Sequence, residues 1–210
     1  MNALRLKFLA VSPRPRAKMK LRFLFLPLCL ALAFSARATT VIPPDFDHLV
    51  RRAQVIFEGE VTSVQSQWIG EGAQHRIATF VTFKVDDALK GDPGTSYTIR
   101  MLGGTVDGET MQVSDAPKFQ MGDHDLLFVE NNGRQFIPLV GIQHGRFRIK
   151  KDPNGQETIM TGEAQPLADV SQLGTSEAAI AQGRHALSLN DFKATVRTRV
   201  RDQKAGLNTP

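Results

Sequence analysis

Between Gln54 and Thr161 the chain breaks into short runs of alternating apolar and polar residues, separated by Gly, Pro, Asn and Asp. A period of two residues puts one set of side chains on each face of a strand, so these runs read as half-buried β-strands. In Gln54 to Val64, Val55, Phe57, Gly59 and Val61 share one face, and Glu58, Glu60 and Thr62 the other. A glycine inside such a run predicts a bulge or a close backbone approach at Gly59. Trp68 to Gln74 reads as a loop, followed by strands over Arg76 to Leu89 and Ser96 to Leu102. Shorter runs follow at Thr110 to Val113, Asp125 to Glu130, Gln135 to Val140, Arg146 to Lys150 and Glu157 to Thr161. Many short strands at close spacing predict a mainly β domain, a small antiparallel barrel or a sandwich.

Helical spacing is confined to the two flanks. Phe46, Leu49, Val50 and Ala53 fall at i, i+3, i+4 and i+7, with Asp45 and Asp47 early and Arg51 and Arg52 late. Acids at the start and bases at the end suit a helix dipole, so a short packed helix is expected there. Ser176 to His185 reads as a weak helix interrupted by Gly183. Ser188 to Asp191 resembles a capping box ahead of an amphipathic C-terminal helix, bounded at 190–204, with Phe192, Val196 and Val200 on one stripe. Residues 205–210 are expected to fray.

The N-terminus reads as an export leader. Phe23 to Phe34 is an unbroken apolar run with Lys20 and Arg22 before it and Ser35-Ala36-Arg37-Ala38 after it. A basic start, an apolar middle and small residues before the cut are the parts of a secretory signal, here cleaved after Ala38. The run is shorter than the roughly 20 residues a membrane-spanning helix needs. The long basic stretch before Met19 makes Met19 the expected start. Eight of the 26 Lys and Arg lie in 1–38 with none of the 21 Asp and Glu, so the remainder carries 18 bases against 21 acids, net −3. The basic balance that would suggest nucleic acid therefore leaves with the leader. Cys29 leaves too, which removes disulfides, thiolate metal sites and a cysteine nucleophile from the domain expected over 39–189. The expected location is periplasmic or secreted, with no membrane span after cleavage.

No catalytic signature is assembled in linear order. The five histidines include no i, i+4 pair, and neither a nucleophile elbow nor a phosphate-binding glycine loop occurs. Asp123 and His124 are metal-capable, but neighbours on an extended strand point to opposite faces and cannot converge on one ion. Glu58 with Glu60, or Asp86 with Asp87, read as wet strand faces. Thr39 becomes the first residue after cleavage, and an N-terminal Thr can serve as a nucleophile. No cofactor is expected. The best binding patch is on the C-terminal helix, where Lys193, Arg197 and Arg201 lie off the apolar stripe and could meet an acidic partner.

Three segments carry a family likeness: Ala53 to Val61 (A-x-V-I-F-x-G-x-V), Phe83 to Gly91 (F-x-V-x-x-x-L-K-G) and Gly122 to Phe128 (G-x-x-x-L-L-F). Their order and spacing resemble bacterial exported proteins similar to the netrin-like domain of tissue inhibitors of metalloproteinases. The resemblance spans Asp45 to Val129 and implies an OB-like five-stranded barrel with flanking helices, binding a protein partner through its loops or N-terminal edge. The animal inhibitors chelate a protease zinc through an N-terminal cysteine, whereas Thr39 stands here, so no inhibitory residue carries over. The expected function is thus a non-catalytic exported module that binds another protein, for instance an exported peptidase. The alternative is a small hydrolase whose His and carboxylate groups meet only in the fold.

Overall fold

A computed structural model describes residues 43–175 and 186–207. The expected leader, the weak helix at Ser176 to His185 and residues 208–210 lie outside the described residues. The first element is α1 (Phe46–Arg52), capped by Asp45, whose carboxylate accepts the amide of His48 at 2.7 Å. The strands are β1 (Val55–Ile69), β2 (Arg76–Lys90), β3 (Ser96–Leu102), β4 (Gly104–Val106), β5 (Glu109–Met111), β6 (His124–Val129), β7 (Arg146–Lys151) and β8 (Glu157–Thr161). The chain ends in α2 (Leu189–Leu207), so Ala205 to Leu207 continue the helix where the sequence predicts fraying. Ser188 starts it, accepting the Asp191 amide at 3.1 Å and donating to the Asp191 carboxylate at 2.6 Å.

The protein is mainly β and antiparallel, with a short N-terminal and a longer C-terminal helix. Six strands pair in the order β3-β2-β1-β6-β7-β8, and β4 and β5 form a separate hairpin. Two sequence expectations need correction. Trp68 and Ile69 are not loop: they pair with Ile77 and Arg76 and lengthen β1. Gln135 to Val140 is not a strand: it runs through turns and touches the sheet at one isolated bridge, Val129 to Leu139. Its apolar density is nonetheless core, because Ile137, Leu139 and Val140 are buried. Pro138 has no amide to offer a ladder, which accounts for density without pairing.

The sheet buries both faces. On one, α1 and α2 cover Ile56, Leu126, Phe128, Phe147 and Ile159. Phe192 of α2 sits at the centre, 4.9 Å between ring centroids from Phe147 and 6.0 Å from Phe46. The other face curls around Phe57, Val61, Val81, Phe83, Ile99 and Leu127. As strands, the ladder is open, ending at β3 and β8. Residues 131–140 bridge the gap between β3 and β6. Glu130 N–H donates to Pro138 O at 3.1 Å on the β6 side, and Leu102 N–H donates to Phe136 O at 2.7 Å on the β3 side. The Asn132 amide acts as a strand would, accepting from Arg100 N–H at 3.0 Å and donating to Thr98 O at 2.8 Å. A loop thus completes the ring around the second core, and the outer edge of β3 is covered.

Curling requires irregularity in the long first strand. The β1–β2 register shifts at Ile56/Phe57, Glu58/Gly59 and Val61/Ser63. Gly59 is both a bulge and a close approach, since it stands at a shift and a Cβ there would lie 2.5 Å from the Lys84 carbonyl oxygen. Backbone cannot yield as a flexible side chain does. Gly59→Ala should therefore lose about 1–3 kcal/mol despite alanine's better strand propensity. A fall in the urea midpoint at unchanged slope is the expected readout.

Candidate functional site

Beyond the ring's second core the sheet opens into a cleft of about 630 Å³. Its floor is β1, β2 and β3 through Val64, Ser66, Thr79, Val81 and Met101. One wall is the β4–β5 hairpin with Thr105, Thr110 and Met111, and the other is the strandless segment that carries Lys118, Phe119 and Gln120. Gly104 lets the hairpin sit down on the floor, because a Cβ there would come 2.5 Å from the Thr79 hydroxyl. The hydroxyls pair among themselves, Ser66 with Thr79 at 2.9 Å and Thr105 with Thr110 at 2.9 Å. The lining mixes apolar side chains with hydroxyls, amides and the charged Asp115 and Lys118. Clefts of this volume are common at barrel mouths. Met121 flanks it, 72% exposed.

Behind the second wall lies a buried ionic cluster. Arg146 on β7 is 1% exposed and sits in the apolar interior. Its Nε and Nη2 donate to the two oxygens of Asp125 at 3.0 and 2.8 Å, and Asp125 is equally buried. Nη2 also reaches Asp123 at 2.8 Å, Nη1 donates to Lys118 O at 2.6 Å, and the guanidinium carbon lies 4.0 Å from the Phe119 ring centroid. Burial raises the Asp125 pKa, and the Arg146 hydrogen bonds act against that rise.

A second ionic cluster joins α2 to the opposite sheet face. Glu58, 6% exposed, accepts from Lys193 and lies 3.1 Å from His124 Nε2. Lys193 also meets Asp87 at 2.5 Å, and Arg197 donates to both oxygens of Asp87 at 2.8 and 2.6 Å. The hydrogen bond with His124 is the main reason the Glu58 pKa is lowered. Burial opposes the shift and Lys193 adds to it. The same bond raises the His124 pKa, against desolvation and with help from Glu157 and Asp86. Burial works against the Lys193 charge, but bonds to Asp87 and Glu58 outweigh it, and its pKa is raised. At Asp87 burial is likewise opposed, and Lys193 and Arg197 hold the pKa down.

These directions give a pH window. The His124 contribution is complete below its ordinary value of 6.5 and is lost as pH rises through its higher folded value. The Glu58 contribution is complete above its ordinary 4.5 and is lost as pH falls through its lower folded value. The pair is strongest between those limits. The wild-type urea midpoint should fall from pH 6 to pH 8 by more than that of His124→Gln. For this half-buried pair the difference should be about 0.5 kcal/mol after solvent screening. Parallel falls in both proteins would contradict it.

The fold scatters the residues singled out from sequence. Asp123 turns to Arg146 and His124 to Glu58, on opposite faces as strand geometry requires. Among the described residues no group of three His, Cys, Asp or Glu side chains could hold a metal ion. Lys193 and Arg197 do not form an open patch with Arg201. The first two bind sheet carboxylates, and Arg201 donates to Thr198 at 3.2 Å on its own helix. The wet-face reading of Glu58 is also corrected, since α2 lies over it, while Glu60 remains exposed. Thr39 lies outside the described residues. Sequence reasoning missed the cleft and Arg146. A usable sign was Asp125, an acid in phase with the inward-facing Leu127 and Val129, which therefore needed a buried cation. No protein-family model matches the chain, and no curated protein matches it either.

Proposed function

We propose that the protein is a non-catalytic binding module, exported by its N-terminal leader, that receives a segment of another protein in the cleft at the mouth of the ring. The observation that carries this reading is the cleft itself, about 630 Å³ in volume, lined by apolar and hydroxyl-bearing side chains with Asp115 and Lys118 among them. Its size and chemistry suit one or two apolar side chains of an extended polypeptide, and the Met101 and Met111 thioethers can adapt to their shape. The netrin-like resemblance agrees with a scaffold that binds through loops at one end, with an exported peptidase as one partner class. Against the hydrolase alternative, His124 and Asp123 lie outside the cleft lining, each bonded to a structural partner. No helix among the described residues is long and apolar enough to cross a membrane.

A photocrosslinking side chain placed at Thr110 in the cleft should capture one protein species stoichiometrically in the cell envelope. The same probe at exposed Lys151 should not. Filling the cleft with Thr105→Trp should abolish the Thr110 product and leave the urea midpoint in place. Equal capture at Thr110 and Lys151, or capture indifferent to Thr105→Trp, sinks the reading.

A further inference from the structure

We infer that Arg146 is a positioning residue for the cleft, a buried guanidinium anchored on Asp125 that holds the Lys118 to Asp123 wall at the distance a polypeptide partner requires. This rests on the cleft being the binding site. The wall has no strand pairing of its own in the segment that lines the cleft. Its far end is tied to β1 by backbone, with Gly122 N–H on Val61 O at 2.9 Å and Val61 N–H on Asp123 O at 2.8 Å. The part that lines the cleft, besides packing Phe119 on Phe83, is held by bonds converging on one side chain: Lys118 O on Nη1, the Phe119 ring against the guanidinium, and Asp123 on Nη2. Asp123 passes the constraint on, because the same oxygen accepts Gln120 N–H at 2.9 Å. Lys118, Phe119 and Gln120 all line the cleft.

Stability alone does not account for such a residue. A buried ion pair is often matched or exceeded in stability by apolar residues of similar volume, so its presence at 1% exposure calls for another role. Orientation supplies that role. The guanidinium is planar and rigid, with two donors held by Asp125 and two more on Lys118 O and Asp123 in the wall, a geometry that lysine cannot copy.

The double variant Asp125→Leu/Arg146→Met separates positioning from bulk stability, since it removes both charges and keeps the core filled. Its urea midpoint should stay near wild type. Amide exchange at Gln120 should quicken at least tenfold while exchange in β2 is unchanged, and Thr110 crosslinking should fall by a similar factor. Asp123→Ala, which leaves the Arg146–Asp125 pair intact, should quicken Gln120 alone, and Arg146→Lys should not restore wall protection. Unchanged exchange at Gln120 in both the double variant and Asp123→Ala overturns the positioning role, whatever crosslinks. Faster exchange there, combined with no Thr110 product even in the wild type, instead removes the binding reading and the partner-setting part of this inference with it.

Discussion

Arg146→Met alone should lower the unfolding free energy by about 3–5 kcal/mol, the cost of leaving a buried charge without its partner. Asp125 would remain at 1% exposure with the two Arg146 hydrogen bonds gone and only the weaker attraction of Arg148 left. Its carboxyl is already pushed toward the protonated form by burial, with Arg146 pulling the other way. Removing Arg146 takes away the opposing influence, so the folded pKa rises further. A group with a raised folded pKa contributes best at low pH and loses that contribution as pH rises through the folded value. The damage should therefore be greater at pH 8 than at pH 5, and urea titrations at the two values measure it. For a domain of this size such a loss is a large share of a total of about 5–15 kcal/mol. An equal loss at both pH values would mean that packing, not charge, is what Arg146 supplies.

Phe192→Ala should have an effect of similar size for a different reason. The ring is fully buried and meets Phe46, Phe128 and Phe147, joining both helices to the sheet. Truncating a buried phenylalanine costs about 3–5 kcal/mol through lost burial and the cavity left behind. The loss should also reach the neighbouring residue, because Lys193 is held over Glu58 by the packing of α2. His124 bonds Glu58 directly and not through Lys193, so the variant should keep the His124-dependent fall in stability between pH 6 and pH 8. Arg197→Ala is the contrast: this ion pair is 47% exposed on the arginine side and should cost less than about 1 kcal/mol. Chemical denaturation of the two variants side by side, at pH 6 and pH 8, checks both statements.

Local periodicity explains what could be read in advance. The alternation in β1 correctly separated Phe57 and Val61 from Glu58, and the helical stripe of Phe192, Val196 and Val200 is indeed buried. What lies over the Glu58 face was beyond such reasoning, because Lys193 is 135 positions away in the chain. For the same reason, the basic side of α2 looked free while two of its cations were committed to the sheet. Residues 135–140 show the opposite failure: burial was legible in their composition, but pairing depends on backbone donors, and Pro138 with the turn around Gly141 prevents a ladder. The cleft could not be read at all, since its floor and two walls come from four separate stretches of chain.

Closing the ring with a side-chain amide has a chemical consequence. Asn132 is followed by Gly133, the pairing in which a backbone nitrogen most readily attacks an asparagine carboxamide and expels ammonia. Hydrolysis of the resulting imide to an aspartate would put a carboxylate oxygen where the Asn132 amide now donates to Thr98 O. Attraction at the β3 edge would turn into repulsion between two acceptors. The seam that seals the second core thus also carries a residue open to slow spontaneous ageing, as Asn154-Gly155 does in an exposed turn.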